Sequence, residues 1–535
     1  MLATEPPRTP HNRRVHALYA FGIAWTAGAM VFSNLLMSLG AFALLLAWGH
    51  DRWALGPLFK GRDRTFIQES TVLLAVVGLM GWQVLGLAWT EDLGNGLQAL
   101  RIKLPFLAFP LILLTGRFDR TAVWRWLPGW WAAMVALGCL VALARGWLSD
   151  EKLSARNWSP FISHIRFSLM IVTSWGWLSY RLLRSQGNNR ALHLVIWGLL
   201  TAMSGLFLRQ TGALTGVVLA PIVAAALVGW GALDGRGVSR RTARRWMMGM
   251  GGVGGMGLAL LLLNLRPVLP DLDGLPERSA GGELYVHHPD RCLRENGHHV
   301  WTHIAWGELQ RTWNTRSSVR FYALDGRNQQ LRMTLIRYMT SRGLTKDSLG
   351  VAALRDVDVA RIESGVASIL EIEHSGLRRR WDVLKFEVDA MCSGLAPSGQ
   401  SVMQRWAFLK TGWYIFHHSP AWGVGTGDLD LAFHEAYNAM DSSLAEPFRL
   451  RAHNQFLSFA LGGGPVGAML FLSVFVALVA TSRRHELAGQ ESMAVATLVF
   501  ALVFFLSCWT EDTLETQAGV TWAGLWVGLL GRKGD

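Results

Sequence analysis

The chain has 535 residues, of which 51% are hydrophobic, and it carries 26 Trp. This is more apolar surface than a soluble protein of that size normally buries, so the composition points to an integral membrane protein. The formal charge of +13 gathers in short loops between apolar runs, where it orients a membrane protein, so nucleic acid is set aside as a partner.

Runs of about twenty apolar residues, enough to cross a hydrocarbon core of roughly 30 Å, recur along the chain. They lie near 15–32, 34–49, 71–89, 103–115, 126–145, 165–180, 191–208, 212–230, 246–264, 453–480, 492–509 and 514–530. The fourth is short and interrupted by Pro105 and Pro110. Residues 1–14 are basic and no small-residue cleavage site separates the first two runs, so the first span is expected to remain as an anchor. The expected fold is an all-α polytopic membrane protein of about twelve transmembrane helices, with a large α+β extracytoplasmic segment between helices 9 and 10. The expected domains are a membrane region at 1–264, an outer segment at 265–452 and a second membrane region at 453–535.

Lys and Arg collect in cytoplasmic loops. Basic clusters precede the first span, follow the second, fourth, sixth, eighth and tenth, and end the chain, as in Arg181, Arg184 and Arg190 or Arg240, Arg241, Arg244 and Arg245. All fall on one side if both termini are cytoplasmic. The opposite loops include the acidic Thr90-Glu91-Asp92 and Thr510-Glu511-Asp512.

Within the outer segment, residues 299–304 and 318–322 alternate like strands of a small sheet, with Asp325-Gly326 as a turn. Helical spacing follows at 329–341, 355–370 and 376–392, and 401–418 reads as an aromatic, amphipathic helix at the outer interface. Cys292 and Cys392 can pair there. His287, His288, His298, His299 and His303 surround Cys292, but their spacing matches no closed zinc pattern, and no metal or other cofactor is expected.

Arginines on the outer side run against the charge bias, and Arg166, Arg209 and Arg405 stand out. A guanidinium is a planar, permanently charged fork suited to phosphate, although snorkelling to lipid headgroups is the plainer reading of each. Arg209 sits in a turn so short that its side chain must face the protein or the immediate interface. Arg101 and Lys103 are weaker candidates. The turn Trp422-Gly423-Val-Gly425-Thr-Gly427-Asp428 can present backbone N–H groups to a glycan or an anion, or can be purely structural, and Asp428-Leu-Asp430 is a D-x-D that occurs readily by chance. His453, in Arg451-Ala-His453-Asn454-Gln455, lies where the chain re-enters the membrane. Imidazole titrates near neutrality and can take a proton from an attacking hydroxyl; the plainer reading is a histidine beside a helix start.

These residues resemble the bacterial O-antigen ligase and O-antigen polymerase superfamily. The resemblance rests on Arg405 and its helix, Pro420-Ala-Trp-Gly423-Val-Gly425-Thr-Gly427, Arg451-Ala-His453-Asn454-Gln455-Phe-Leu457, Gly463-Gly464-Pro465-Val-Gly467 and Leu514-Glu515-Thr-Gln517-Ala-Gly519. It covers most of the chain but not the insertion at about 280–395. It implies a GT-C-like, metal-independent, inverting glycosyltransferase of the bacterial inner membrane, with its active site facing the periplasm. The donor would be an undecaprenyl-diphosphate-linked glycan and the acceptor lipid A-core or another glycan. His453 would be the general base, and Arg209, Arg166 and Arg405 would neutralise the leaving pyrophosphate. The large segment before His453 favours a ligase with a bulky acceptor over a polymerase that extends a second lipid-linked unit. A transporter is disfavoured because 71–89, 212–230 and 453–480 hold no Asp, Glu, Lys or Arg. A non-catalytic glycan-binding protein is the remaining alternative.

Overall fold

Helices occupy the apolar runs because a backbone in lipid must satisfy its own N–H and C=O groups. The computed structural model describes residues 10–54, 70–149, 157–185, 187–234, 263–271, 273–288, 290–419 and 421–532. The basic cluster at 240–245 and, but for its last two residues, the expected span 246–264 lie outside these. In chain order the helices are α1 (Pro10–Phe32), α2 (Asn34–Ala54), α3 (Thr71–Leu85), α4 (Leu93–Thr115), α5 (Arg120–Leu148), α6 (His164–Arg184), α7 (Gly187–Thr211) and α8 (Leu214–Asp234). After two strands, β1 (Arg294–Glu295) and β2 (His298–His299), come α9 (Trp306–Arg316), α10 (Leu331–Ser341), α11 (Ser348–Ala352), α12 (Asp356–Glu363), α13 (Leu370–Glu373), α14 (Gly376–Cys392) and α15 (Ser401–His418). The chain ends with α16 (Leu429–Ala439), α17 (Gln455–Leu487), α18 (Glu491–Thr510) and α19 (Gln517–Leu530).

Among the described residues, eight helices are long and apolar enough to cross a membrane: α1, α3, α4, α5, α7, α8, α17 and α18. The other expected runs fall on α2, α6 and the 14-residue α19. One element differs from expectation. Helix α4 is not a short span from residue 103 but a 23-residue helix, N-capped by Asp92 and continuous through both prolines. Its first ten residues continue the same helix ahead of the expected run, and Lys103, which follows them, has a buried partner described below.

The chain forms two compact units, one of residues 1–251, 408–442 and 449–535, the other of 252–407 and 443–448. In the first, α19 lies against α4 through Gly524 and Gly528: a Cβ there would come within 2.7 Å of Pro105 O and 2.8 Å of Phe109 O. Small residues four apart let the two backbones approach, which replaces the hydrophobic driving force missing between helices in lipid. Trp526 fixes the neighbouring layer by meeting Trp131 and Trp177 edge to face, at 5.4 and 4.6 Å.

The second unit is helical around its own core of Leu309, Trp313, Leu335, Ile336 and Ile362. The expected sheet is reduced to the two-residue pair β1–β2 and isolated bridges. Residues 318–322 form no ladder because side chains take their backbone groups: Trp313 Nε1 donates to Val319 O at 2.9 Å and Asn314 Oδ1 accepts from Phe321 N at 2.9 Å. His303, with φ +54°, breaks the other alternation. Asp325-Gly326 does turn, and Asp325 Oδ1 accepts from the N–H groups of Arg327 and Gln329. Cys292 and Cys392 form a disulfide across 100 residues of sequence.

Lys346 lies buried in this unit, its Nζ donating to His299 O at 3.1 Å and Thr302 O at 2.9 Å, and burial lowers its pKa from 10.5 to about 7. The unfolded chain therefore binds more protons than the folded one between these values, so stability rises with pH from about 7 towards 10.5. Hydrogen exchange of the intact protein across pH 7–9 should show growing protection of α10 and α11, by at most about 1.4 kcal/mol per pH unit. Lys346→Met should flatten that slope.

Candidate active site

The site begins at a break in α17. Gly464 adopts φ +64° and ψ −168°, and Pro465 follows it, so the helical ladder stops there. The two pieces fold back on each other: Phe456 and Phe459 meet Phe471 at 5.0 and 4.7 Å. Such a break frees carbonyls that must find donors. Val424 N donates to Leu461 O at 2.9 Å, Gly425 N to Gly462 O at 3.0 Å, and Trp82 Nε1 to Gly463 O at 2.8 Å.

The glycine-rich turn is thus a backbone clamp on the broken helix. Gly423, at φ +84°, has no room for a Cβ, which would lie 2.5 Å from Gly464 N. A Cβ on Gly427 would lie 2.2 Å from Asp92 O. Asp428 accepts from the N–H groups of Glu91 and Asp92, both at 2.8 Å, and Asp430 pairs with Arg451 at 2.8 Å. The turn's N–H of Gly425 and both Asp428 oxygens are therefore engaged within the protein. A Cβ on Gly464 would come within 2.1 Å of Ala421 O. Gly464→Ala should cost more than about 2 kcal/mol, read as a lowered thermal midpoint of the purified protein.

Clamping the break fixes the start of α17. Asn454 caps it, accepting from Leu457 N at 3.0 Å, and donates through Nδ2 to Trp509 O at 3.2 Å. His453, just before the cap, is held at φ +46°, a strained conformation for a residue with a Cβ. Its ring is 39% exposed, lies 5.8 Å from the Phe408 ring, and points Nδ1 at Asp512 Oδ2, 3.9 Å away.

Asp512 belongs to the α18–α19 loop, where acids and bases interleave. Burial pushes its carboxyl above the usual range and Glu515 adds to this, against the opposing effects of Ser458, His453 and Arg451. Ser458 Oγ donates to Asp512 Oδ1 at 2.9 Å and so aims Oδ2 towards the imidazole. Burial also acts to raise Glu515, but the Lys103 ammonium 2.6 Å away, with Arg451 and Gln455, holds it below the ordinary carboxylate range. Gln455, fully buried, accepts from Leu514 N at 2.8 Å and ties the loop to α17.

Arg166, at the start of α6, donates through Nε to Thr516 Oγ1 at 2.8 Å and turns Nη2 towards Glu511 at 3.9 Å. Phe167 packs on Phe207 with centroids 5.0 Å apart, which sets Arg166 beside the end of α7 that carries Arg209. Arg209 is exposed there. The first unit thus sets His453 and Arg166 against one loop, with Arg209 at the end of the neighbouring α7. Arg405 is exposed on α15 and belongs to the second unit.

Residues 374–472 match the O-antigen ligase family. The O-antigen ligase segment contains His453, the glycine clamp and the break at Gly464, and it bears out the resemblance drawn from the motifs. What the family match implies is a ligase- or polymerase-type transfer of a glycan. No curated protein matches the chain. Outside the matched segment lie Asp512 and Glu515, which sequence reasoning left without a catalytic task, and Lys103, which it held only as a weaker candidate. The signal for them was Lys103 inside an apolar run: a cation there requires a buried carboxylate nearby.

Proposed function

We propose that the protein transfers a glycan from an undecaprenyl-diphosphate-linked donor to a sugar hydroxyl of lipid A-core, at the periplasmic face of the bacterial inner membrane. The observation that carries this reading is His453, partly exposed within the O-antigen ligase segment, with Nδ1 turned to Asp512. Asp512 favours the tautomer protonated at Nδ1, leaving Nε2 to accept the proton of the attacking hydroxyl. The hydroxyl oxygen bonds to the anomeric carbon as the bond to the diphosphate oxygen breaks, so the displacement inverts that centre. Arg209 and Arg166 face the departing diphosphate and replace the charge a metal would supply; Arg405 retains the same role on the strength of the resemblance. Both termini are assigned to the cytoplasm by the basic loops. The Cys292–Cys392 disulfide supports an oxidising compartment for the second unit.

The test is reconstitution. Purified protein in excess chelator is given an undecaprenyl-diphosphate-linked glycan with either lipid A-core or a second lipid-linked unit. Transfer to lipid A-core is expected. Transfer only to the second unit makes the protein a polymerase, and transfer restored only by a divalent cation overturns the metal-free step.

A further inference from the structure

One hydroxyl sets how the α18–α19 loop meets Arg166. Thr516 stands just before α19, extended at φ −133° and ψ 145°, and its side chain accepts from Gly519 N. The same oxygen accepts from Arg166 Nε at 2.8 Å. A threonine oxygen has two lone pairs, so both bonds can stand together. The turn leaves little slack: a Cβ on Gly519 would lie 2.0 Å from Thr513 O and 3.1 Å from Thr516 Oγ1. Between these two threonines, Leu514 N donates to the fully buried Gln455 at 2.8 Å.

The Arg166 side chain is only 16% exposed, and the Glu511 carboxylate stands 3.9 Å from its Nη2, beyond hydrogen-bond distance. A guanidinium so placed is ordinarily held fork to fork by a carboxylate. Here Nε is held by a neutral hydroxyl instead, which fixes the direction of the fork without cancelling its charge. Four residues earlier in the same loop, Asp512 turns Oδ2 towards His453 Nδ1. One tethered loop therefore meets both the imidazole and the guanidinium.

We propose that Thr516 is a positioning residue for the transfer: its hydroxyl caps α19 and holds the Arg166 guanidinium, charge intact, towards the diphosphate of the donor. This rests on the transferase reading above, in which Arg166 faces that diphosphate, and adds the group that aims it. A misdirected fork loses its paired bonds to phosphate oxygens, so the loss falls on donor use and spares the acceptor.

Three substitutions separate aiming from capping. Thr516→Ser keeps the hydroxyl. Thr516→Val keeps the shape and loses both bonds. Thr516→Asp keeps the cap, since Asp is a preferred residue before a helix, but sets a carboxylate against Arg166 and cancels its charge. In the reconstituted protein, Thr516→Ser should match wild type. Thr516→Val and Thr516→Asp should each lower kcat/KM for the lipid-linked donor about tenfold or more with the acceptor KM unchanged, although only Thr516→Val should lower the thermal midpoint. If activity instead follows the midpoint, with Thr516→Asp like wild type, Thr516 only caps the helix and the proposal fails. Equal loss towards donor and acceptor, or no loss in either variant, also overturns it. If the wild type transfers from no lipid-linked donor, the transferase reading fails, and binding of inorganic pyrophosphate decides the aiming role. Binding by wild type and Thr516→Ser that weakens about tenfold in the other two variants supports it; equal binding by all four, or none by the wild type, overturns it.

Discussion

We expect His453→Ala to abolish glycan transfer by the reconstituted protein while leaving it inserted and folded. A positioned general base contributes about 10²–10⁴ in rate, and His453 is the imidazole that approaches Asp512 in the α18–α19 loop. The substitution should be well tolerated structurally. The ring is 39% exposed, and removing a side chain from a φ of +46° leaves a strained backbone only slightly changed. Single-turnover assays should therefore show a fall in the chemical step with donor binding retained. Asp512→Asn should give a smaller loss through the same step, because the imidazole loses its carboxylate partner while Asn keeps the shape. Wild-type transfer by purified His453→Ala would remove the base assignment and leave a glycan-binding role.

The two halves of this site differ in how openly the sequence announces them. His453 stands out because it is a titratable group at the edge of a long apolar run, and α14 and α15 follow the boundaries that their apolar spacing predicts. Spans α1, α3 and α18 are equally plain, since about twenty apolar residues in lipid have no alternative to a helix. What is hidden depends on long-range partners. Asp512 sits 59 residues beyond His453 and reads on its own as an orienting acidic loop. The glycine turn at 423–427 gives no sign in sequence that the N–H groups of Val424 and Gly425 meet carbonyls freed near Gly464. The short strands of the second unit were overestimated for a related reason: alternation at 318–322 is present, but Trp313 and Asn314 outcompete a neighbouring strand for its backbone groups.

Lys103→Met should be the most damaging single change in the bundle away from the base. The Lys103 and Glu515 side chains are only 5% and 12% exposed and lie 2.6 Å apart. Removing one partner of a buried pair leaves an uncompensated charge and costs about 3–5 kcal/mol. Here the stranded group would be Glu515, whose carboxylate also receives Gln455 Nε2 at 3.4 Å. The sign with pH follows from the lowered Glu515 carboxyl: in the wild type its contribution is fully present above the ordinary carboxylate range and is lost as pH falls through the depressed value. Lys103→Met should erase that contribution, so the variant's thermal midpoint should fall well below wild type at neutral pH and approach it in acid. The double variant Lys103→Met, Glu515→Gln should recover most of the neutral-pH stability, because no buried charge remains. Its activity separates two roles for the pair. If the pair serves only to seat the loop, transfer recovers with stability; if the Glu515 charge also maintains the raised Asp512 carboxyl that faces His453, the double variant stays folded and its pH–rate profile moves.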